Sequence, residues 1–379
     1  MELHNLELAY FIAPLAISAI SAALAALVSV TDRIVNNYGD VVININDGSK
    51  SLDVKGGTNM LLTLAENQIF IPSACGGRGS CGECKVKVKS DVGPHLPTEI
   101  PYLTREQIDG NVRLSCQVKV KSDVNIEIPD YLFKIKQYTG TVERIRDVTH
   151  DIKEVYLKLE DGQAVDFRAG QYGQIETPPY GKVRERTQRA YSMSSRPSDS
   201  NHVEFLIRLV PGGIVTTYVH EHLKEGEKMK IIAPFGEFYV RETDATMICV
   251  AGGSGMAPFK SIFYDFIENG KMNDRDIWYF FGARTKKDLF YLEELQQMEQ
   301  EYERFHFIAA LSEPQPEDDW KGETGLITEV LDKYLKNEIG AEAAKEGYLC
   351  GSPGMLDACM AVMRSNGMTE DKIYFDKFA

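Results

Sequence analysis

Ser73-Ala74-Cys75-Gly76-Gly77-Arg78-Gly79-Ser80-Cys81-Gly82-Glu83-Cys84 is the stretch on which the reading of this chain turns. Its cysteines are spaced C-x5-C-x2-C, and a fourth, Cys116, follows in the strand-like run RLSCQVKVKSDVNIEI. Four soft thiolates suit zinc or an iron–sulfur cluster. Structural zinc sites usually pair closely spaced cysteines twice, and a second close pair is missing. Gly76, Gly77, Gly79 and Gly82 let the loop wrap closely and aim backbone N–H groups at sulfur, which tunes a cluster's potential. The flanking text is short and alternating: VVININD and SLDV join through Asp47-Gly48 as a hairpin, and a helix is expected after Thr58.

The cysteine spacing resembles that of the [2Fe–2S] ferredoxins, in a five-spaced form one residue longer than the plant-type C-x4-C-x2-C. That resemblance implies a β-grasp domain over residues 36–133. Cys249 and Cys359 lie in apolar stretches and read as core.

Working outward toward the N-terminus, no charged residue occurs from Leu8 to Thr31. A bilayer core of ~30 Å needs about 20 helical residues, so the run fits one span. The residues before it carry no Lys or Arg, unlike a secretory signal. Residues 1–35 are therefore expected to form a single-pass membrane anchor. Arg33 follows the run while Glu2 and Glu7 precede it, which places the soluble domains in the cytoplasm. Composition agrees. With 43% hydrophobic and 26% charged residues over 379 positions, the chain is globular rather than disordered. A net charge of −14 argues against a nucleic-acid partner. Seven cysteines, three of them crowded, suit a reducing compartment rather than a disulfide framework.

Toward the C-terminus, residues 134–240 form short β-rich segments with Gly and Pro turns, as in a small six-stranded antiparallel barrel. Arg189-Ala190-Tyr191-Ser192 lies in this part. A flavin dinucleotide needs a cation for its pyrophosphate, a flat face for its ring and a hydrogen bond at N5. Arg189, Tyr191 and Ser192 can supply these in turn. Gly212-Gly213-Ile214-Val215-Thr216-Thr217 reads as a glycine turn entering a helix, a phosphate site. The alternative for Thr216 and Thr217 is ordinary capping. From 241 to 379 strands alternate with helices, which means a parallel α/β sheet. Gly252-Gly253-Ser254-Gly255-Met256-Ala257-Pro258 closes its first strand and permits close approach of a dinucleotide, although G-x-G-x-x-G is not matched. With Cys350-Gly351-Ser352-Pro353 it resembles the nucleotide-binding domain of the ferredoxin–NADP reductase superfamily, where the cysteine–glycine turn lies beside the nicotinamide. No Ser–His–Asp set or acid pair for hydrolysis stands out.

The module order, with RAYSM, APFGEF, GGSGMAP, GARTKKDLFY and the final DKIYFDKF, resembles the F-subunits of the bacterial sodium-translocating NADH:quinone oxidoreductases. The resemblance implies that hydride passes from NADH to FAD, and single electrons pass to a [2Fe–2S] cluster and on through other subunits to ubiquinone, with sodium transport. It implies an inner-membrane location, with lipid and the other subunits of the complex as partners. Carried over, it assigns Cys75, Cys81, Cys84 and Cys116 to the cluster. It assigns Arg189, Tyr191, Ser192, Gly212, Gly213, Thr216 and Thr217 to FAD, and Gly252, Gly253, Gly255, Pro258, Cys350 and Gly351 to the nicotinamide dinucleotide. Phe378 would cover the flavin ring until nicotinamide displaces it, leaving Ser192, Cys350 and Phe378 at the reacting atoms. The short step from Gly170 to Arg189 is closer to the reductases of ring-hydroxylating oxygenases, so a reductase for another acceptor is the alternative; a non-catalytic electron carrier is a third. Asp288, Glu293 and Glu294 beside Lys286 and Lys287 oppose a 2′-phosphate, so NADH rather than NADPH is expected.

Overall fold

A computed structural model of the chain describes residues 2–35, 38–340 and 342–377, with the backbone alone at 2–13, 32–34 and 377. These residues fall into two compact units. One is built from the residues up to Asn67 together with Cys84–Asp130, the other from Gln68–Glu83 together with the residues from Tyr131 onward.

The first unit opens with helix α1 (Glu2–Val35). Its stretch Pro14–Thr31 is apolar and has no face buried in protein. Leu15 is 70% and Val28 66% exposed. An apolar surface of that length is stable against hydrocarbon rather than water.

Strands β1 (Asp40–Ile45) and β2 (Lys50–Lys55) form the expected antiparallel hairpin. Alternation in DVVINI turns Val41, Ile43 and Ile45 into the core. Helix α2 (Met60–Glu66) follows, capped by the Asn59 side chain, which accepts the Leu62 N–H at 2.9 Å. The unit continues through β3 (Lys85–Val88), α3 (Arg105–Asp109), β4 (Val112–Leu114) and β5 (Val124–Glu127). The sheet order is β2-β1-β5-β3-β4, with β1 and β5 parallel. Mixed pairing of this kind around one helix is the β-grasp arrangement that the cysteine spacing implied.

The second unit has two sheets. Strands β6 (Lys136–Asp147), β7 (Ile152–Leu159), β8 (Tyr172–Thr177), β9 (Thr187–Ser192) and β10 (His202–Arg208) precede the short helix α4 (Ile214–Thr217) and strand β11 (Lys228–Phe235). The strands form one six-stranded antiparallel sheet, ordered β10-β7-β6-β11-β8-β9. A bridge between Met193 and Phe205 brings its two edges together as a barrel.

The parallel sheet is built from β12 (Thr246–Gly252), α5 (Met256–Glu268), β13 (Ile277–Ala283), α6 (Leu292–Glu301), β14 (Phe305–Leu311), β15 (Glu323–Thr324), α7 (Ile327–Asn337), β16 (Lys345–Gly351), α8 (Pro353–Ser365) and β17 (Ile373–Lys377). Its order is β15-β14-β13-β12-β16-β17, and every pairing is parallel. Phe259, Phe263, Tyr279 and Phe281 fill one side, and Ile248, Val250, Phe280 and Leu331 the other. Cys249 and Cys359 are buried there, as read.

One boundary differs. The pattern DLFYLEELQQMEQEY predicts a helix from Asp288, yet α6 begins at Leu292. Phe290 is buried edge-on against Phe281, and Tyr291 takes a left-handed backbone (φ 55°). Tertiary contacts of these two rings outweigh the helical preference of the segment.

Candidate active site

Strand β9 carries Arg189, Tyr191 and Ser192 at the edge of the barrel sheet. Helix α4 packs against β8 and β9, and the Tyr180 hydroxyl donates to the Ile214 carbonyl. The glycine turn and the Arg-x-Tyr-Ser motif are thus brought together. Gly212 and Gly213 form the turn, and Gly213 stands at the N-cap. Thr216 is buried and accepts the Val210 N–H at 3.2 Å, so its hydroxyl shapes the turn from within. Thr217 is half-buried one residue on.

Ser192 is buried, and its hydroxyl donates to Asp376 Oδ2 at 2.8 Å. Asp376 lies on β17 opposite Cys350 on β16. Burial pushes both the Asp376 carboxyl and the Cys350 thiol above their ordinary ranges, and the Ser192 hydroxyl opposes the rise at each. Three strands therefore deliver a hydroxyl, a thiol and a buried carboxyl to one place. The Gly252–Gly255 turn closes on the same place. A Cβ on Gly255 would strike the Cys350 carbonyl oxygen and sit 3.1 Å from the Gly351 nitrogen. Only glycine permits that approach. Gly252 ends β12, Gly253 follows it in the turn, and Pro258 is buried in the first turn of α5. The arrangement lies at the carboxyl ends of β12 and β16, where open parallel sheets bind dinucleotides. Phe378 lies outside the described residues. Asp376 does not stand out in the sequence; its one signal there is its place two residues before Phe378.

The cysteines stand as two pairs, one in each unit. Cys81 Sγ lies 3.3 Å from Cys75 Sγ. The hydrogen bond from Cys81 to Cys75 pulls Cys75 down to about 3 and raises Cys81. Cys84 is raised by its contact with Cys116 and by burial. Among the described residues no three His, Cys, Asp or Glu side chains gather around one point. A tetrahedral zinc needs four convergent ligands, whereas a two-iron cluster takes two cysteines on each iron. Each pair by itself supplies two sulfurs, the number that one iron of such a cluster takes.

Within the second unit the loop bearing Cys75 and Cys81 lies over β8 and β9. Gln174 Nε2 donates to the Ser73 carbonyl at 3.1 Å out of water. A Cβ on Gly76 would lie 2.8 Å from Arg189 Nη1 and 2.9 Å from the Gln188 carbonyl. Burial lowers the Arg189 pKa and the neighbouring Arg78 lowers it further. Among the described residues no carboxylate bonds Arg189; its Nη1 donates to the Gln188 carbonyl at 2.6 Å. A half-buried guanidinium in that state favours an anion.

A cysteine-bearing mixed sheet, an antiparallel barrel and a parallel dinucleotide sheet define a flavin- and iron–sulfur-dependent oxidoreductase. The sequence matches the 2Fe-2S iron-sulfur cluster binding domain over residues 43–121, the oxidoreductase FAD-binding domain over 139–239 and the oxidoreductase NAD-binding domain over 249–361. The chain belongs to the family of Na(+)-translocating NADH-quinone reductase F-subunits. The family member from Pseudomonas aeruginosa (strain UCBPP-PA14) is 39% identical over 396 residues, covering 95% of this chain and 96% of its own. Its counterpart from Mannheimia succiniciproducens is 37% identical, covering 96% and 97%. The compact step from Gly170 to Arg189 is thus accommodated within this family. Among solved structures, the ferredoxin reductase in carbazole 1,9a-dioxygenase is 26% identical with a TM-score of 0.67, over 90% of this chain and 99% of its own. An Amycolatopsis cytochrome P450 reductase shares the fold at 24% identity, with a TM-score of 0.70 over 89% and 98%.

Proposed function

We propose that the chain is the NADH-oxidising component of a membrane-bound NADH:quinone oxidoreductase complex that translocates sodium. The observation that carries this is the convergence of Ser192, Cys350 and Asp376 where the flavin motif meets the dinucleotide turn. When bound, FAD accepts the two electrons of NADH together, and the [2Fe–2S] cluster accepts electrons one at a time. Arg189, Tyr191 and Ser192 would hold FAD, Arg189 supplying a cation for its pyrophosphate, Tyr191 a flat face and Ser192 a hydroxyl, while Gly212, Gly213, Thr216 and Thr217 would form its phosphate turn. Asp376 accepts the Ser192 hydroxyl and so orients it, and the buried Cys350 keeps water from the reacting face. Gly252, Gly253, Gly255, Pro258 and Gly351 would hold the nicotinamide dinucleotide, and Phe378 would cover the flavin ring. Cys75, Cys81, Cys84 and Cys116 would hold the cluster.

The working domains are residues 1–35 as a single-pass anchor in the inner membrane, 36–133 for the cluster, 134–240 for FAD and 241–379 for NADH, with the soluble domains cytoplasmic. Lipid and the other subunits of the complex are the partners. Lys286 supports NADH over NADPH, because its ammonium already donates to the Asp318 carbonyl at 2.9 Å.

Anaerobic NADH should bleach the flavin of the purified full-length protein and produce the EPR signal of a reduced cluster. In Cys81→Ala the cluster spectrum and that signal should vanish while flavin bleaching persists. A normal reduced-cluster signal in the variant would remove Cys81 from the ligand set, and a flavin that NADH leaves oxidised would sink the whole reading.

A further inference from the structure

Behind the flavin motif, five charged side chains meet between the barrel and the parallel sheet. Lys260 sits on α5, one turn after the Gly252–Gly255 turn. Its Nζ donates to Glu204 Oε1 on β10 at 2.6 Å, to Glu154 Oε2 on β7 at 3.1 Å and to the Tyr291 hydroxyl oxygen at 3.2 Å. The lysine side chain is 12% exposed, and those of Glu154 and Glu204 are 1% and 6%. Arg144 and Arg146 on β6 reach Glu154 from the solvent side at 3.1 and 2.9 Å. Tyr291, in its left-handed backbone, donates to Glu154 as well.

The cluster runs to the flavin motif. The Ser194 hydroxyl donates to Glu204 Oε1 at 2.8 Å, and the Ser194 N–H donates to the Glu204 carbonyl at 2.8 Å. The next residue on α5, Ser261, donates its hydroxyl to the Ser195 carbonyl at 2.7 Å. Two adjacent helix residues therefore hold this strand end, Lys260 reaching Ser194 through Glu204 and Ser261 bonding Ser195 directly, immediately beyond Ser192 and Met193. The helix they sit on starts at the dinucleotide turn. A desolvated ion cluster is a weak device for stability, since apolar residues of equal volume often do as well. What it supplies is a directional tie: ammonium and carboxylate at 2.6 Å have one arrangement, where apolar surfaces can slide.

We propose that Lys260 is a positioning residue for electron transfer from nicotinamide to flavin. Through Glu204 and Ser194 it fixes the helix that carries the dinucleotide turn against the strand end that carries Ser192. This rests on the functional reading given above. The tie itself breaks no covalent bond and moves no proton; it sets the separation of two sites. Burial alone would neutralise these groups. Instead Glu204 and Glu154 hold Lys260 above its ordinary value, and Lys260, Tyr291 and Arg146 hold Glu154 at about 2, so both stay charged at neutral pH.

The test uses the full chain with FAD and cluster in place. Lys260→Met leaves two carboxylates without their ammonium, so Lys260→Met/Glu204→Gln is the cleaner variant for folding. Both should bind FAD and show the normal cluster spectrum. NADH-driven flavin bleaching in stopped flow should slow roughly 10- to 100-fold, the sensitivity expected of a misplacement near 1 Å. The NADH concentration for half-maximal rate should move less than about threefold, and the deuterium isotope effect with NADH labelled at the transferred hydrogen should rise. Without NADH, hydrogen exchange should quicken at the Ser194 amide and over residues 256–262, and Lys260→Arg should restore both exchange and rate in large part. A wild-type protein that NADH does not bleach overturns the functional reading and this proposal with it. A bleaching wild type matched within about twofold by the double variant overturns the positioning role alone, as does unchanged exchange at Ser194.

Discussion

Arg113 with Glu99 in the first unit, and Lys260 with Glu154 and Glu204 in the second, are both charged groups taken out of water, but they tie together different things. The Arg113 guanidinium grips Glu99 through two nitrogens, at 3.1 and 2.7 Å, and donates to the Gly93 and Pro94 carbonyls at 2.9 and 3.2 Å. Glu99 accepts the Leu96 and Leu114 N–H groups in return, each at 2.9 Å. Apart from Leu114 in β4 itself, every partner lies between Gly93 and Glu99, in the segment that leads toward β4. Lys260 reaches instead to partners on two strands of the barrel and to the turn before α6. The first network staples a loop to its own sheet, and its loss is felt as unfolding. The second joins two separately built layers, and its loss is felt as a wrong distance between them. Buried charge is the same expense in both places, and the span of the tie decides what it does.

The largest effect expected from that contrast is on stability. Arg113→Met leaves Glu99 charged and unpaired at 0% exposure, which costs about 3–5 kcal/mol. On heating, this variant should lose its cluster absorbance well below the temperature at which wild type does, while flavin release stays where it was. If flavin release shifts by as much, the staple is not local and the contrast fails.

Acid sharpens the comparison at the next level. Desolvation pushes Glu99 and Glu154 up, yet Arg113 and backbone N–H groups outweigh it at Glu99, and Lys260 with Tyr291 and Arg146 at Glu154, leaving both lowered. A carboxylate held below its unfolded value stabilises the fold above that value and loses the effect as pH falls through the folded one. Stability from Glu154 should therefore be complete above about 4.5 and decline toward about 2. Hydrogen exchange at Ser194, followed from about pH 5 to about pH 2, should show protection falling across that window after correction for intrinsic rates. Protection that is flat, or that rises on acidification, would mean Glu154 does not carry the charge assigned to it.

The smallest effect is expected at Tyr291. Tyr291→Phe removes the hydroxyl that bonds Glu154 but leaves Lys260–Glu204–Ser194 intact. The loss should be on the order of 1 kcal/mol in unfolding free energy. Flavin bleaching should slow far less than in Lys260→Met. Equal slowing would place the tie at Glu154 rather than along the Glu204 path.

Legibility in the sequence follows the range over which each signal acts. Uncharged residues from Leu8 to Thr31 announce a helix suited to lipid, because length and polarity suffice for that reading. The alternation of VVININD and the helix expected after Thr58 are equally local. The start of α6 departs from its local pattern because Phe290 and Tyr291 obey distant partners, Phe281 and Glu154, rather than the helical preference of their neighbours.

By itself, then, the amino-acid order determined the sequence of modules, the four thiols and the glycine turns, since each depends on residue type at short spacing. Tertiary structure alone decided that the thiols stand in pairs, that Thr216 is spent within its own turn, and that Asp376 meets Ser192 across 184 positions. It alone placed Lys260 against Glu204. Whether a buried charge finds its counter-charge is settled only when strands and helices from distant parts of the chain pack to within hydrogen-bond distance, and no local pattern carries that information.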